Sequence, residues 1–212
     1  MALISPVFIH GWAFSSKVFG RLEGIKIDLP AHGESREPYR DFNSLVNSLA
    51  LSLPGKHDLV GWSMGGTIAL LLALKFPSKV NRLFLVGTSP YFGDAWSEKN
   101  LRAFKLRIKK EGLSYFRKLA YPRDFEDKLE EDQAMKMLDD YVETDLRPWL
   151  SLLGKKTFII HGERDRIVPF VEALKLYNFI KGSKLIVLPG GHFPAEDETG
   201  LLSTLLKVGK DL

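Results

Sequence analysis

Gly61-Trp62-Ser63-Met64-Gly65-Gly66 is the stretch on which the reading of this chain turns. Asp58 to Gly61 reads as a strand entering it, and Met64 to Phe76 as an apolar helix leaving it. Pro77 stops that helix, because proline cannot donate to the helical ladder. A serine on so sharp a strand-to-helix turn is lifted clear of the sheet, and small residues two before and two after it relieve the crowding. The turn also sets Ser63 at a helix N-terminus, where unsatisfied N–H groups favour negative charge. The same string could be a glycine-rich turn that merely packs helix on strand, so the rest of the chain has to decide.

Outward from this turn, short β-rich runs alternate with helical patterns. Val7 to Ile9, Gly24 to Asp28, Asp58 to Gly61, Arg82 to Gly87, Thr157 to His161 and Lys184 to Leu188 read as strands. Ser15 to Leu22, Phe42 to Leu53, Met64 to Phe76, Val168 to Ile180 and Thr199 to Val208 read as helices. That alternation predicts an α/β fold with a mostly parallel sheet covered on both faces. From about Tyr91 to Leu150 no strand pattern occurs, while Leu101, Phe104 and Ile108 share one helical face. The expected organisation is a core of residues 1–90 and 151–212, with 91–150 inserted as a small helical lid.

A serine at neutral pH needs a base, and the base needs an orienting carboxylate. Of five histidines, His10, His57 and His161 flank strands, and His32 sits in the turn Asp28-Leu-Pro-Ala-His-Gly-Glu-Ser35, where it reads as a loop staple. His192, in Pro-Gly-Gly-His-Phe-Pro after the last strand, is the expected base. Asp165, in His-Gly-Glu-Arg-Asp-Arg-Ile-Val-Pro, is the expected acid, ahead of Asp94 and Glu163. Its bland reading is a solvated turn carboxylate paired with Arg164 or Arg166. An acyl transfer also needs oxyanion donors, for which the backbone N–H groups of Met64 and Trp12 are the candidates.

Composition sets the outer bounds. The 212 residues are 45% apolar and 26% charged, with 30 Lys and Arg against 26 Asp and Glu, which excludes wholesale disorder. A net charge of +4 is too weak to indicate nucleic acid. The absence of cysteine excludes disulfides, thiolate metal sites and cysteine nucleophiles. The longest apolar run, Ile68 to Leu74, falls far short of the roughly 20 residues of a membrane-spanning helix. The start, MALISPVFIHGW, has no basic residue before its apolar stretch, so no cleavable signal is expected and the expected compartment is the cytoplasm.

HGW, DLPAHGES, GWSMGG, HGERDRIVP and GGHFP, in this order, resemble the α/β-hydrolase superfamily, in which serine, acid and histidine follow one another along the chain. Trp12, Trp62, Gly87-Thr-Ser-Pro-Tyr-Phe92 and Thr144-Asp-Leu-Arg147 look more narrowly like the pimeloyl-[acyl-carrier protein] methyl ester carboxylesterases of biotin synthesis. The resemblance implies a serine carboxylesterase with Ser63, His192 and Asp165 as its triad and no metal or organic cofactor. It also implies a substrate wall built from Trp12, Trp62 and Phe92, to which Tyr91 adds another aromatic beside the site loops. The chain departs from the family in its short insertion and in lacking strands before the first motif, which implies a trimmed sheet.

Two other readings compete. Related sequences with these motifs include a menaquinone-pathway lyase and carbon–carbon bond hydrolases, and degenerate members of the fold serve as non-catalytic receptors. The insertion is also electrically split. Trp96 to Arg123 carries nine Lys and Arg against two Glu, and Asp124 to Asp145 carries two Lys against ten acidic residues. Arg102, Lys105 and Lys109 project from one helical side. They could pair with the acidic half, remain simply solvated, or dock an acidic acyl carrier protein, the partner the resemblance implies.

Overall fold

The structure, a computed structural model, describes residues 5–193 and 200–208. Six strands form one wholly parallel sheet: β1 (Val7–Ile9), β2 (Ile25–Ile27), β3 (His57–Trp62), β4 (Val80–Val86), β5 (Lys156–Gly162) and β6 (Lys184–Leu188). The order is β2-β1-β3-β4-β5-β6. The chain steps from β1 to β2 on one side and returns to place β3 on the other. This order reverses between β1 and β3, and in open parallel sheets such a switch point leaves a crevice beyond the strands' carboxyl ends. Gly11 and Ser63 both lie at that crevice, since Ile9 pairs with Gly61 across it.

β3 is buried along its whole length, as a strand covered on both faces must be. The helix that follows it, α2 (Met64–Lys75), is apolar nearly all round, with Ile68, Leu70 and Leu72 fully buried, the pattern of a central helix. On the outer layer, α1 (Phe42–Ser52) is capped by Asp41, whose carboxylate accepts from the Ser44 N–H at 2.7 Å.

Between β4 and β5 lie three helices, α3 (Glu98–Glu111), α4 (Ser114–Ala120) and α5 (Glu131–Glu143), and no strand longer than a single-residue bridge. Leu101 and Ile108 are buried and Arg102 and Lys109 exposed, so α3 turns its apolar face inward. Two helices remain, α6 (Phe170–Phe179) and α7 (Leu201–Val208). Thr199, where the last helix is expected to start, lies outside the described residues.

One expected helix is not there. Ser15 to Leu22 reduces to a single 3₁₀ turn over Ser16–Phe19. Gly20 leaves it with a positive φ of 49°, through which a helix does not continue, while the Asp28 carboxylate takes the Ser16 N–H at 2.7 Å and ties the start of the segment to the β2 turn. No helix of the described residues is long and apolar enough to cross a membrane.

Candidate active site

Ser63 has a φ of 55°, in the left-handed region that a residue with a Cβ rarely enters. The turn survives because its neighbours have no side chains. A Cβ on Gly61 would come 2.5 Å from the Gly65 carbonyl oxygen, and one on Gly65 would meet the Ile9 carbonyl oxygen at 2.1 Å. The backbone is pinned on both sides, Ser63 N–H donating to Val86 O at 2.8 Å and Gly66 N–H to Ser63 O at 2.9 Å.

His192 and Asp165 come together as the sequence predicts. The imidazole Nδ1–H donates to Asp165 Oδ2 at 2.8 Å, and both side chains are buried. The other carboxylate oxygen accepts the backbone N–H groups of Ile167 and Val168 at 2.8 and 2.9 Å. Burial alone would raise the Asp165 pKa. The charge and hydrogen bond of His192, then His161 and the Val168 N–H, outweigh it and hold the carboxyl below its ordinary value. His161 lies 3.4 Å from the same carboxylate and donates to Val168 O, so it buttresses the acid without reaching Ser63. Asp94, the competing acid, is taken up by Arg147 and lies 3.9 Å from Lys175. Among the described residues no hydrogen bond joins the Ser63 hydroxyl to His192. Such contacts are often open in substrate-free enzymes and close on the substrate.

The loop after β1 runs beside the serine: a Cβ on Gly11 would lie 3.1 Å from Ser63 Cβ. Met64 opens α2, so its N–H has no acceptor within the helix. His32 is the loop staple expected of it, its Nε2 accepting from Ala13 N–H at 3.1 Å and its Nδ1–H donating to Pro30 O at 2.7 Å.

The four aromatics expected to wall the substrate part company. Trp62 is fully buried. Its indole N–H donates to the His192 carbonyl at 2.9 Å, so its place is behind the base, which it holds. The rings of His192 and Phe193 pack on it, with centroids 5.5 and 4.8 Å away. Trp12 donates its indole N–H to Ala134 O of α5 at 2.6 Å and lines a cavity of about 300 Å³ with Lys105, Ile108, Leu113 and Met135. Tyr91 is half-buried beneath the Arg147 guanidinium, 4.7 Å above its ring. Phe92 is buried and stacks on Tyr141 at 4.6 Å. Of the basic trio on α3, Arg102 pairs with Glu98 of its own helix, Lys105 pairs with Asp139 of α5, and Lys109 is exposed at the rim of the Trp12 cavity.

Tyr141 is the site residue the sequence reading passes over. Its hydroxyl lies beside the side chains of Ser63 and Ser89. The signal was present: Ala134, Met137, Leu138 and Tyr141 recur at helical spacing and form the buried face of α5.

A parallel sheet with a strained serine at its switch point and a histidine–aspartate pair beyond it defines a hydrolase class. The chain belongs to the alpha/beta hydrolase family, which it matches over residues 7–202. Among curated relatives it is similar to the pimeloyl-[acyl-carrier protein] methyl ester esterase of Nitrosomonas europaea, 28% identical over 89% of this chain and 88% of that one. The enzyme of the same name from Stenotrophomonas maltophilia is 31% identical, with 89% and 85% covered. In structure it resembles an esterase from Exiguobacterium antarcticum, with a TM-score of 0.86 and 25% identity over 98% of this chain and 92% of that one.

Proposed function

We propose that this chain hydrolyses the methyl ester of a pimeloyl group borne on an acyl carrier protein, as a step of biotin synthesis, using Ser63, His192 and Asp165. Carboxylic ester hydrolysis is the activity of its family relatives and of this chain. The observation that carries the proposed chemistry is the buried 2.8 Å contact between His192 Nδ1 and Asp165, set beyond a serine on a left-handed turn.

Ser63 Oγ attacks the ester carbonyl as its proton passes to His192 Nε2. The backbone N–H groups of Met64 and Trp12 receive the oxyanion. Asp165 holds the Nδ1–H tautomer and stabilises the imidazolium. His192 then gives the proton to the departing methoxy oxygen, and methanol leaves an acyl-enzyme. Water attacks it with His192 again as base, which frees the acid and restores Ser63. Residues 91–150 serve as the lid over this site. Its basic face, with Arg102, Lys105 and Lys109, receives the acidic carrier while the prosthetic arm of the carrier passes beneath to Ser63.

Methanol release from carrier-bound pimeloyl methyl ester tests the reading. Turnover should depend on Ser63, being lost in Ser63→Ala. Arg102→Glu with Lys109→Glu should raise KM several-fold for the carrier-bound ester at low salt and leave small free esters unaffected. Absence of turnover on the carrier-bound ester, with free esters cleaved well, would replace this substrate with a free one.

A further inference from the structure

Tyr141 and Ser89 form a buried polar pair beside Ser63. Tyr141 is 3% exposed and Ser89 1%. Among the described residues no well-aligned hydrogen bond ends on either hydroxyl, although each is buried. Groups left in that state are costly in a finished fold, by about 1–3 kcal/mol each, and are tolerated where a ligand completes them. The Tyr141 hydroxyl sits beside the hydroxyl of Ser63. Its ring is fixed from the other side by the stack on Phe92.

The topology says which part of a substrate the pair would meet. β3 delivers Ser63 and is flanked by β1 on one side and β4 on the other. The oxyanion candidates Trp12 and Met64 belong to the β1 loop and the start of α2. Ser89 follows β4 on the opposite side, and Tyr141 is brought over it by α5. With the carbonyl oxygen drawn toward β1, the oxygen turned toward Ser89 and Tyr141 is the alkoxy oxygen of the ester.

We propose that Tyr141 is a further catalytic residue, whose hydroxyl, beside that of Ser89, donates a hydrogen bond to the alkoxy oxygen of the ester as the alcohol departs. The proposal rests on Ser63 being the nucleophile. No proton changes hands at the tyrosine: His192 supplies the proton that completes the alcohol, and Tyr141 lowers the charge that oxygen carries while the bond breaks. Burial, foremost, with the charges of Asp165 and Glu172, keeps the phenol above its ordinary pKa, so it remains a donor.

A donor to the departing oxygen matters most when the alcohol leaves reluctantly, which sets this role apart from a structural one. Tyr141→Phe keeps the ring and its stack on Phe92. It should lower kcat for a methyl ester roughly tenfold while changing turnover of the p-nitrophenyl ester of the same acid less than about threefold. Ser89→Ala, which leaves the tyrosine in place, should give a smaller loss with the same dependence on the alcohol. Equal losses on both esters, or no loss on either, in both variants would overturn the proposal while a fluorophosphonate still labels Ser63. Failure of that reagent to label Ser63 in the unmodified enzyme would instead remove the nucleophile, and this proposal with it.

Discussion

Trp62→Phe deletes the N–H that reaches the His192 carbonyl and keeps an aromatic ring in its place. The donor lies 2.9 Å from that oxygen at a position with no solvent exposure, so water cannot substitute for it. Orphaning a buried carbonyl costs roughly 1–3 kcal/mol. The smaller ring also leaves space between Phe14 and Phe193, whose centroids lie 4.7 and 4.8 Å from the indole, for a packing loss on the order of 1 kcal/mol. The sum, about 2–4 kcal/mol, should lower Tm by roughly 5–15 °C in a domain of this size. Activity should fall too, because the released carbonyl belongs to the base itself, and a 1 Å misplacement of a reacting group can cost about 100-fold. The signature is a lower kcat with KM and the acyl-length preference unchanged, read by thermal unfolding beside kinetics on methyl esters of increasing chain length. An unchanged Tm together with a shifted chain-length preference would refute the reasoning and return Trp62 to the wall of an acyl channel.

Asp165→Asn should cost several orders of magnitude in kcat/KM on any ester, because it favours the wrong imidazole tautomer, while Asp94→Asn, which loosens only Arg147 and Lys175, should stay within a few-fold of the parent. Gly65→Ala should abolish soluble expression or lower Tm steeply, since its Cβ would lie 2.1 and 2.6 Å from the carbonyl oxygens of Ile9 and His10, neither of which can move without breaking the β1 end. Burial pushes His10 down to about 4 and His32 down to about 3, against about 6.5 in the unfolded chain. The unfolded state therefore binds more protons, so stability is full above about pH 6.5 and declines as pH falls from there toward 4. Urea unfolding should show a loss of more than about 1 kcal/mol between pH 7 and 5, and His10→Gln should flatten that slope. Asp165 has a depressed folded pKa, so its contribution holds above about pH 4 and is lost below, outside this window.

The parts of the fold that were legible in the sequence are those set by local pattern. Both-face burial makes each central strand a continuous apolar run, and the glycines around Ser63 reveal a turn that no bulkier sequence could make. Asp165 and His192 were legible because each follows a strand end, where loops at the carboxyl edge of a parallel sheet converge. The pieces that were missed depend on partners far along the chain. Nothing local distinguishes a channel-lining Trp62 from one held under residue 192, 130 positions away. The failed Ser15 to Leu22 helix has adequate residues for a helix but ends where Gly20 turns to a positive φ of 49°. Tyr141 carried the right periodicity, yet its hydroxyl points to a serine that only the α5 docking brings near.

Two neutral histidines explain how the serine-side loop keeps its shape. His10 Nδ1–H donates to Gly11 O at 2.8 Å while its Nε2 accepts from Leu29 N–H at 3.0 Å. His32 does the same between Pro30 O and Ala13 N–H, and the two rings lie 5.2 Å apart. Each ring both donates and accepts, which only the uncharged form can do. The loops after β1 and β2 are thereby laced together, with Ala13 and Ala31 held at positive φ of 67° and 68°. That strain fixes the backbone of the segment to which the proposed mechanism assigns the Trp12 N–H as an oxyanion donor, and a donor already in place needs no reorganisation as charge forms. The same lacing makes the loop sensitive to acid, since protonating either ring turns an accepted hydrogen bond into a clash of two donors. His10→Gln replaces one of these rings with an amide that takes up no proton in this range, so the fall in stability between pH 7 and 5 should become shallower, and an unchanged profile would refute this account of the loop.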